Sequence, residues 1–215
     1  QAHWSALIGL VSYLRKSRDT HFLILSAHGG WNLSMYTDSD YNGTGNCQST
    51  TGLIAFFGFS PISWASRLQR STSRSTAEAE YLALSAASQE AVYLSMLAAS
   101  LRVPKSVVEM YCNDKSSALD DNDTSNNPTW HTAFQVWSDS EAALAQAKKP
   151  DNWVIDKLRH IRTAYHFFKS YVRRGVLRFS SVSGKDNPSD CFTKGFGAPG
   201  KTAANSRADV FQRHP

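Results

Sequence analysis

The chain has 215 residues, 41% of them hydrophobic and 12% aromatic, which is enough to fill one core and leave a small appendage. Its three cysteines, Cys47, Cys112 and Cys191, are widely spaced with no CxxC pair, which argues against a disulfide framework or a zinc site and for reduced thiols inside a cell. No apolar run reaches the roughly 18 residues of a bilayer span and no signal-peptide pattern opens the chain; the net charge of +5 suits an anionic partner without identifying one.

In chain order, residues 2–18 place Trp4, Leu7, Ile8, Val11 and Leu14 at helical spacing. Arg15, Lys16 and Arg18 sit near the C-terminal end, where cations suit the helix dipole. The pattern is already under way at Gln1, as in a piece of a longer protein. A short strand is expected over Phe22–Ser26, and His28-Gly29-Gly30 reads as a turn. Trp31, Leu33 and Met35 alternate with Ser34 and Tyr36, the period of a half-buried strand. That strand ends beside Asp38 and Asp40, and Asn42-Gly43 turns the chain.

Thr50–Phe57 and Pro61–Ser66 read as two further strands joined by Gly58-Phe59-Ser60, an antiparallel meander. Ser75 to Leu101 is the longest helical pattern, rich in Ala, Leu and Glu and free of Gly and Pro. Ala79, Leu82, Ala83, Ala86, Ala87 and Glu90 mark a small-residue face suited to a sheet, and Tyr93 and Met96 read as helix core. Ser75 or Thr76 can cap this helix, with Glu78 as capping-box partner. Residues 104–133 combine a strand-like VVEMYC with the polar DDNDTSNNPT and read as a loop or insertion.

Phe134–Trp137 is expected as a short buried strand, followed by Ser138-Asp139-Ser140 and an alanine-rich helix that Pro150 stops. Ile155–Arg174 is a basic amphipathic helix with Leu158, Ile161, Tyr165, Phe168 and Val172 as its stripe, closed by Gly175. Val176–Val182 alternates as a strand, Gly184–Lys194 is a loop turning into a helix, and the tail from Gly195 shows no period. The order describes a mixed sheet with helices on both faces, an α/β fold.

Four acids fall at comparable places. Asp38 and Asp139 end strands, Glu80 lies in the first turn of the long helix, and Asp190 lies near the start of the last one. Taken alone, Glu80 is open to two readings, a helix-dipole stabiliser or a ligand. Four converging carboxylates cannot all stay ionised without a counter-charge. Two Mg²⁺ ions about 3.5–4 Å apart would supply it and bridge a phosphodiester being cut in line.

YTDSDYNG, the STTG of Ser49–Gly52, PISW, STAEAEYLAL, VWSDSEAALAQAKKP, KLRHI, YHF and NPSDCFTK follow one another in the chain. In that order they resemble the ribonuclease H domain at the C-terminal end of the Pol polyprotein of copia-type LTR retrotransposons. HWSALIGLVSYLRKS resembles the helix joining the reverse transcriptase to that domain. The resemblance covers nearly the whole chain except residues 104–133 and the tail beyond Phe196. It implies a ribonuclease H-like fold, a five-stranded sheet of three antiparallel and then two parallel strands. It also divides the chain into a connecting helix and strand at 1–30, the domain at 31–196 with an insertion at about 104–133, and an irregular basic tail at 197–215.

The family's metal-binding acids form a D-E-D-D set. The resemblance carries them onto Asp38 in YTD, Glu80 as the second acid of EAE, and Asp190 in NPSD. The third has two candidates. MYCND puts Asn113 where the acid is expected and Asp114 one position late, whereas Asp139 keeps register with the following Ala, Lys and Pro positions. Asp139 is the assignment adopted.

What the resemblance implies is Mg²⁺-dependent hydrolysis, with Mn²⁺ as a substitute, of the RNA strand of an RNA–DNA hybrid. Two ions would act in the reaction. The 2′-hydroxyl would distinguish RNA from DNA, and backbone phosphates would take most other contacts. Candidates for those contacts are Arg67, Arg70, Arg74, Lys148, Lys149, Lys157, Arg159 and Arg162. The reverse transcriptase of the same polyprotein is the implied partner, in the cytoplasm (a retrotransposon particle) or the nucleus, with no membrane.

The loop SGKDNPSD lacks the histidine that many cellular ribonucleases H carry before the last acid. His160 is open to structural and auxiliary roles alike, His131 and His166 read as surface or packing residues, and Asp40 and Glu78 as supporting or capping groups. A competing class is a host-retained, non-catalytic module acting as a structural or protein-binding subunit, against which four intact acids argue. A DDE-type integrase shares the fold, but the Glu in the long helix and the fourth acid in NPSD disfavour it.

Overall fold

The computed structural model describes residues 2–18, 33–43, 48–101, 134–149 and 166–193. The expectations for the strand at 22–26, the insertion at 104–133 with Asn113 and Asp114, the first part of the 155–174 helix with Lys157, Arg159, His160 and Arg162, and the tail lie outside them. So does His131.

Helix α1 (Ala2–Ser17) precedes strands β1 (Leu33–Asp40), β2 (Thr50–Phe57) and β3 (Ser60–Leu68). The long α2 (Thr76–Ser100), β4 (Phe134–Ser138), α3 (Glu141–Lys148), α4 (Phe168–Arg173), β5 (Leu177–Ser181) and the short α5 (Asp190–Thr193) follow. The five strands form one sheet in the order β3-β2-β1-β4-β5. β1 pairs antiparallel with β2 and β2 with β3, while β4 lies parallel to β1 and β5 parallel to β4. This is the ribonuclease H-like topology that the motifs imply.

Local chemistry sets the turns. Asn42 closes β1 at a φ of 55°, the left-handed region Asn tolerates better than most residues. Gly58 (φ 60°) and Gly175 (φ 71°) turn the chain into β3 and toward β5. β3 starts one residue earlier than the sequence pattern suggests and runs two residues further, to Leu68. The extension follows from pairing, because Arg67 and Leu68 find partners in Thr51 and Thr50 of β2.

Alternation divides the sheet into two faces. Leu33, Met35, Leu53, Ala55, Phe134, Val136, Leu177 and Phe179 point into one core with α2. The opposite face carries Tyr36, stacked on Trp137 at 6.1 Å and edge-on to Phe56 at 5.9 Å. α5 also packs on that face, over Gly52. Helices thus cover both faces.

The small-residue face expected of α2 is only part of its contact surface. Residues 78–85 are buried all round, Tyr81 and Leu84 completely. The reason is that α2 meets β1, β2 and β4 on one side and α3 and α4 on others, and a helix apolar all round belongs inside. The reading of Tyr93 and Met96 as core is corrected. They are 60% and 51% exposed, because Leu94, Ser95 and Ala98 take the inward side of the last turns.

Candidate metal centre

Asp38 stands near the end of the central strand β1, one residue past the last that pairs with β4, and is 5% exposed. Its direct neighbour on β2 is Gly52, which leaves room for α5. Thr193 of α5 donates from Oγ1 to Asp38 Oδ2. Beneath, Asn187 fastens the preceding loop to the same strand. Its Nδ2 donates to the Thr37 carbonyl at 3.1 Å, while its Oδ1 accepts from the Ser189 amide and hydroxyl at 3.2 and 2.6 Å.

Glu80 arrives on α2 just past its first turn. The Ser75 hydroxyl caps that turn by accepting from the Glu78 amide at 3.2 Å, and Glu78 Oε2 accepts from the Arg74 amide at 2.9 Å. Glu78 therefore works as a cap, in the manner of a capping box. A buried polar network seats the same turn on the sheet: Gln69 Nε2 donates to the Ala79 carbonyl at 2.9 Å and to Thr51 Oγ1 at 3.0 Å.

Asp139 follows β4 directly. Ser140 caps α3, its hydroxyl accepting from the Ala143 amide at 3.3 Å, and the Ser140 amide donates to Ser138 Oγ at 3.2 Å. Gly184 lies against the acid: a Cβ there would come within 3.1 Å of Asp139 Oδ2.

These three acids meet. One carboxylate oxygen of each of Asp38, Glu80 and Asp139 lies within 4.8 Å of the other two. Asp190, the first residue of α5, is outside that group and half-buried. Burial, then the Asp38 charge and more weakly that of Asp139, push the Glu80 carboxyl up to about 8, although hydrogen bonds from Ser39 oppose the shift. Glu80 Oε1 accepts from the Ser39 amide at 3.2 Å, whereas the buried Oε2 bonds no donor among the described residues. An orphaned buried carboxylate oxygen beside two further acids fits a hard divalent cation.

Of the phosphate candidates, Arg67, Arg70, Arg74 and Lys148 are exposed and Lys149 half-buried. His166, expected as a surface or packing residue, bonds through Nδ1 to the hydroxyl of the fully buried Tyr81 at 2.7 Å. Thr193, Asn187 and Gly52 stood in recognisable motifs without a role. The only sequence signal for them was membership of NPSDCFTK and STTG. Cys191 is in no disulfide among the described residues, and its Sγ donates to the Pro188 carbonyl at 3.1 Å. Among the described residues no helix is long and apolar enough to cross a membrane.

No protein-family model matches the chain. It is 29% identical over 194 residues to the retrovirus-related Pol polyprotein from transposon RE2 of Arabidopsis thaliana, covering 89% of this chain. It is also 29% identical over 195 residues to that from transposon TNT 1-94 of Nicotiana tabacum, again over 89% of this chain. The chain spans 11% and 12% of the length of these relatives. A solved N-terminal RNase H domain from Mycobacterium tuberculosis, fused to maltose-binding protein, aligns with a TM-score of 0.40 and 14% identity, covering 85% of this chain and 95% of that one.

Proposed function

From the premise that this chain is a homologue of the retrovirus-related Pol polyproteins of plant transposons, we propose that it is a ribonuclease H module that cuts the RNA strand of RNA–DNA hybrids with divalent metal. The observation that carries the reading is the meeting of Asp38, Glu80 and Asp139, with Glu80 Oε2 unpartnered among the described residues. These three residues would hold Mg²⁺ or Mn²⁺. Asp190, on the helix that bonds Asp38, is the fourth acid of the proposed set. Bound there, such ions would neutralise phosphate charge and lower the pKa of an attacking water.

The protein's own part is positional. β1 and β4 hold two acids at adjacent strand ends, and the capped start of α2 brings the third over them. Exposed Arg67, Arg70 and Arg74, on the path from β3 into α2, are suited to backbone phosphates. The exposed Trp4, Leu7, Ile8 and Val11 of α1 suit a contact with the polymerase segment of the same polyprotein.

The test is cleavage of an end-labelled RNA–DNA hybrid with Mg²⁺, beside an Asp38→Asn control. Cutting confined to the RNA strand and absent from the variant supports the reading. A folded wild-type chain that neither cuts the hybrid nor takes up Mg²⁺ in calorimetry overturns it.

A further inference from the structure

Gly52 is the place where α5 comes down on the sheet. A Cβ at Gly52 would lie 2.7 Å from Thr193 Cγ2, 2.8 Å from the Ser189 carbonyl oxygen and 3.0 Å from Phe192 Cβ. Since Gly52 is the register partner of Asp38, this approach sets Thr193 directly against that acid. Thr193 is 7% exposed, so its hydroxyl must bond within the protein.

A hydroxyl has one hydrogen to give. Thr193 Oγ1 lies near two acceptors, Asp38 Oδ2 and, at 3.2 Å, the carbonyl of Asp190 in its own helical turn. An ionised carboxylate is the stronger acceptor, since charge-assisted bonds are about twice as strong as neutral ones. The hydrogen therefore goes to Asp38.

We propose that Thr193 is a positioning residue for the metal centre, holding one oxygen of Asp38 so that the carboxylate presents a fixed orientation toward a cation shared with Glu80 and Asp139. The proposal rests on the metal-centre reading given under Proposed function. Thr193 does for Asp38 what the Ser39 amide does for Glu80, where Oε1 is held at 3.2 Å. Asp38 and Glu80 are then each held through one oxygen by a donor from outside the cluster. Partners that orient a metal ligand contribute to affinity without touching the metal.

The experiment is calorimetric titration of the whole chain with Mg²⁺ and with Mn²⁺, for wild type, Thr193→Val and Thr193→Ser, with thermal melts alongside. Thr193→Val keeps the branched shape against Gly52 and removes only the donor; Thr193→Ser keeps the donor and removes the methyl. The expected result is an affinity loss of about 10–100-fold in Thr193→Val, near wild-type affinity in Thr193→Ser, and folded proteins throughout.

A Thr193→Val chain that binds both ions as tightly as wild type overturns the proposal and leaves the metal centre standing. Equal losses in both variants also overturn it, because packing of the methyl, and not the hydroxyl, would then be at work. A wild-type chain that binds neither ion overturns the metal-centre reading and this proposal with it.

Discussion

The backbone amide of Ser39 on β1 donates to Oε1 of Glu80 on α2 at 3.2 Å, joining residues 41 apart in the chain. This bond orients the acid brought by the helix against the strand that carries Asp38. It also lowers the Glu80 pKa in part, while burial and the Asp38 and Asp139 charges raise it to about 8. Burial and charge win.

That balance has a stability consequence. Burial holds the folded-state pKa of Glu80 at about 8, above the ordinary 4.5, so folding favours the protonated form. Its contribution is fully present below about pH 4.5 and is lost as pH rises toward and through 8. In EDTA, urea midpoints of the wild type should therefore fall across that window more steeply than those of Glu80→Gln. Mg²⁺ should restore the wild type at pH 8 and leave Glu80→Gln unchanged. Parallel pH profiles for the two proteins would count against the shift.

Asp139 and Asp114 compete for the third acid, and the variants separate them. Asp139→Asn should lower hybrid cleavage by roughly three decades, as expected when several kcal/mol of metal-borne charge stabilisation is lost. Asp114→Asn should leave the rate near wild type. The reverse ranking in the same assay would move the site to Asp114.

Gly52 and Asn187 should matter for folding. Gly52→Ala inserts a Cβ within 2.8 Å of the Ser189 carbonyl oxygen, and overpacking of this kind costs about 1–3 kcal/mol. Asn187→Ala strips buried partners from the Thr37 carbonyl and from Ser189, at a cost of about 2–3 kcal/mol. Urea unfolding measures both. A change under half a kcal/mol in either variant would show that α5 relaxes at that point.

Arg67, Arg70 and Arg74 are exposed beside the start of α2. If all three meet phosphates, replacing them with Ala should flatten the slope of log affinity against log salt by roughly 2–3. Fluorescence anisotropy with a labelled hybrid reads the slope. An unchanged slope would place the phosphate contacts elsewhere.

Much of the fold was legible because its signals are local. The alternation from Leu33 to Met35 marks β1, Asn42-Gly43 its end, and Ser75 with Glu78 the start of α2. Tyr93 and Met96 face outward instead of into the core: helical period alone does not say which side of a helix a neighbour will cover. For His166 the sequence leaves surface and packing roles open, because its partner, Tyr81, lies 85 residues away.

The kinds of element, their order and the family-like motifs are legible residue by residue, since periodicity, caps and turns act over a few residues. Packing of the folded chain is what brings Asp38, Glu80 and Asp139 within 4.8 Å of one another and leaves Asp190 outside that group. That meeting depends on β4 inserting beside β1, in parallel and in register from Ser34 against Gln135 to Thr37 against Ser138. Gly52 likewise admits α5 beside β1, so that Thr193 reaches an acid 155 residues before it. Strand order and register are settled by burying one shared core, a property of the whole chain and not of any stretch of it.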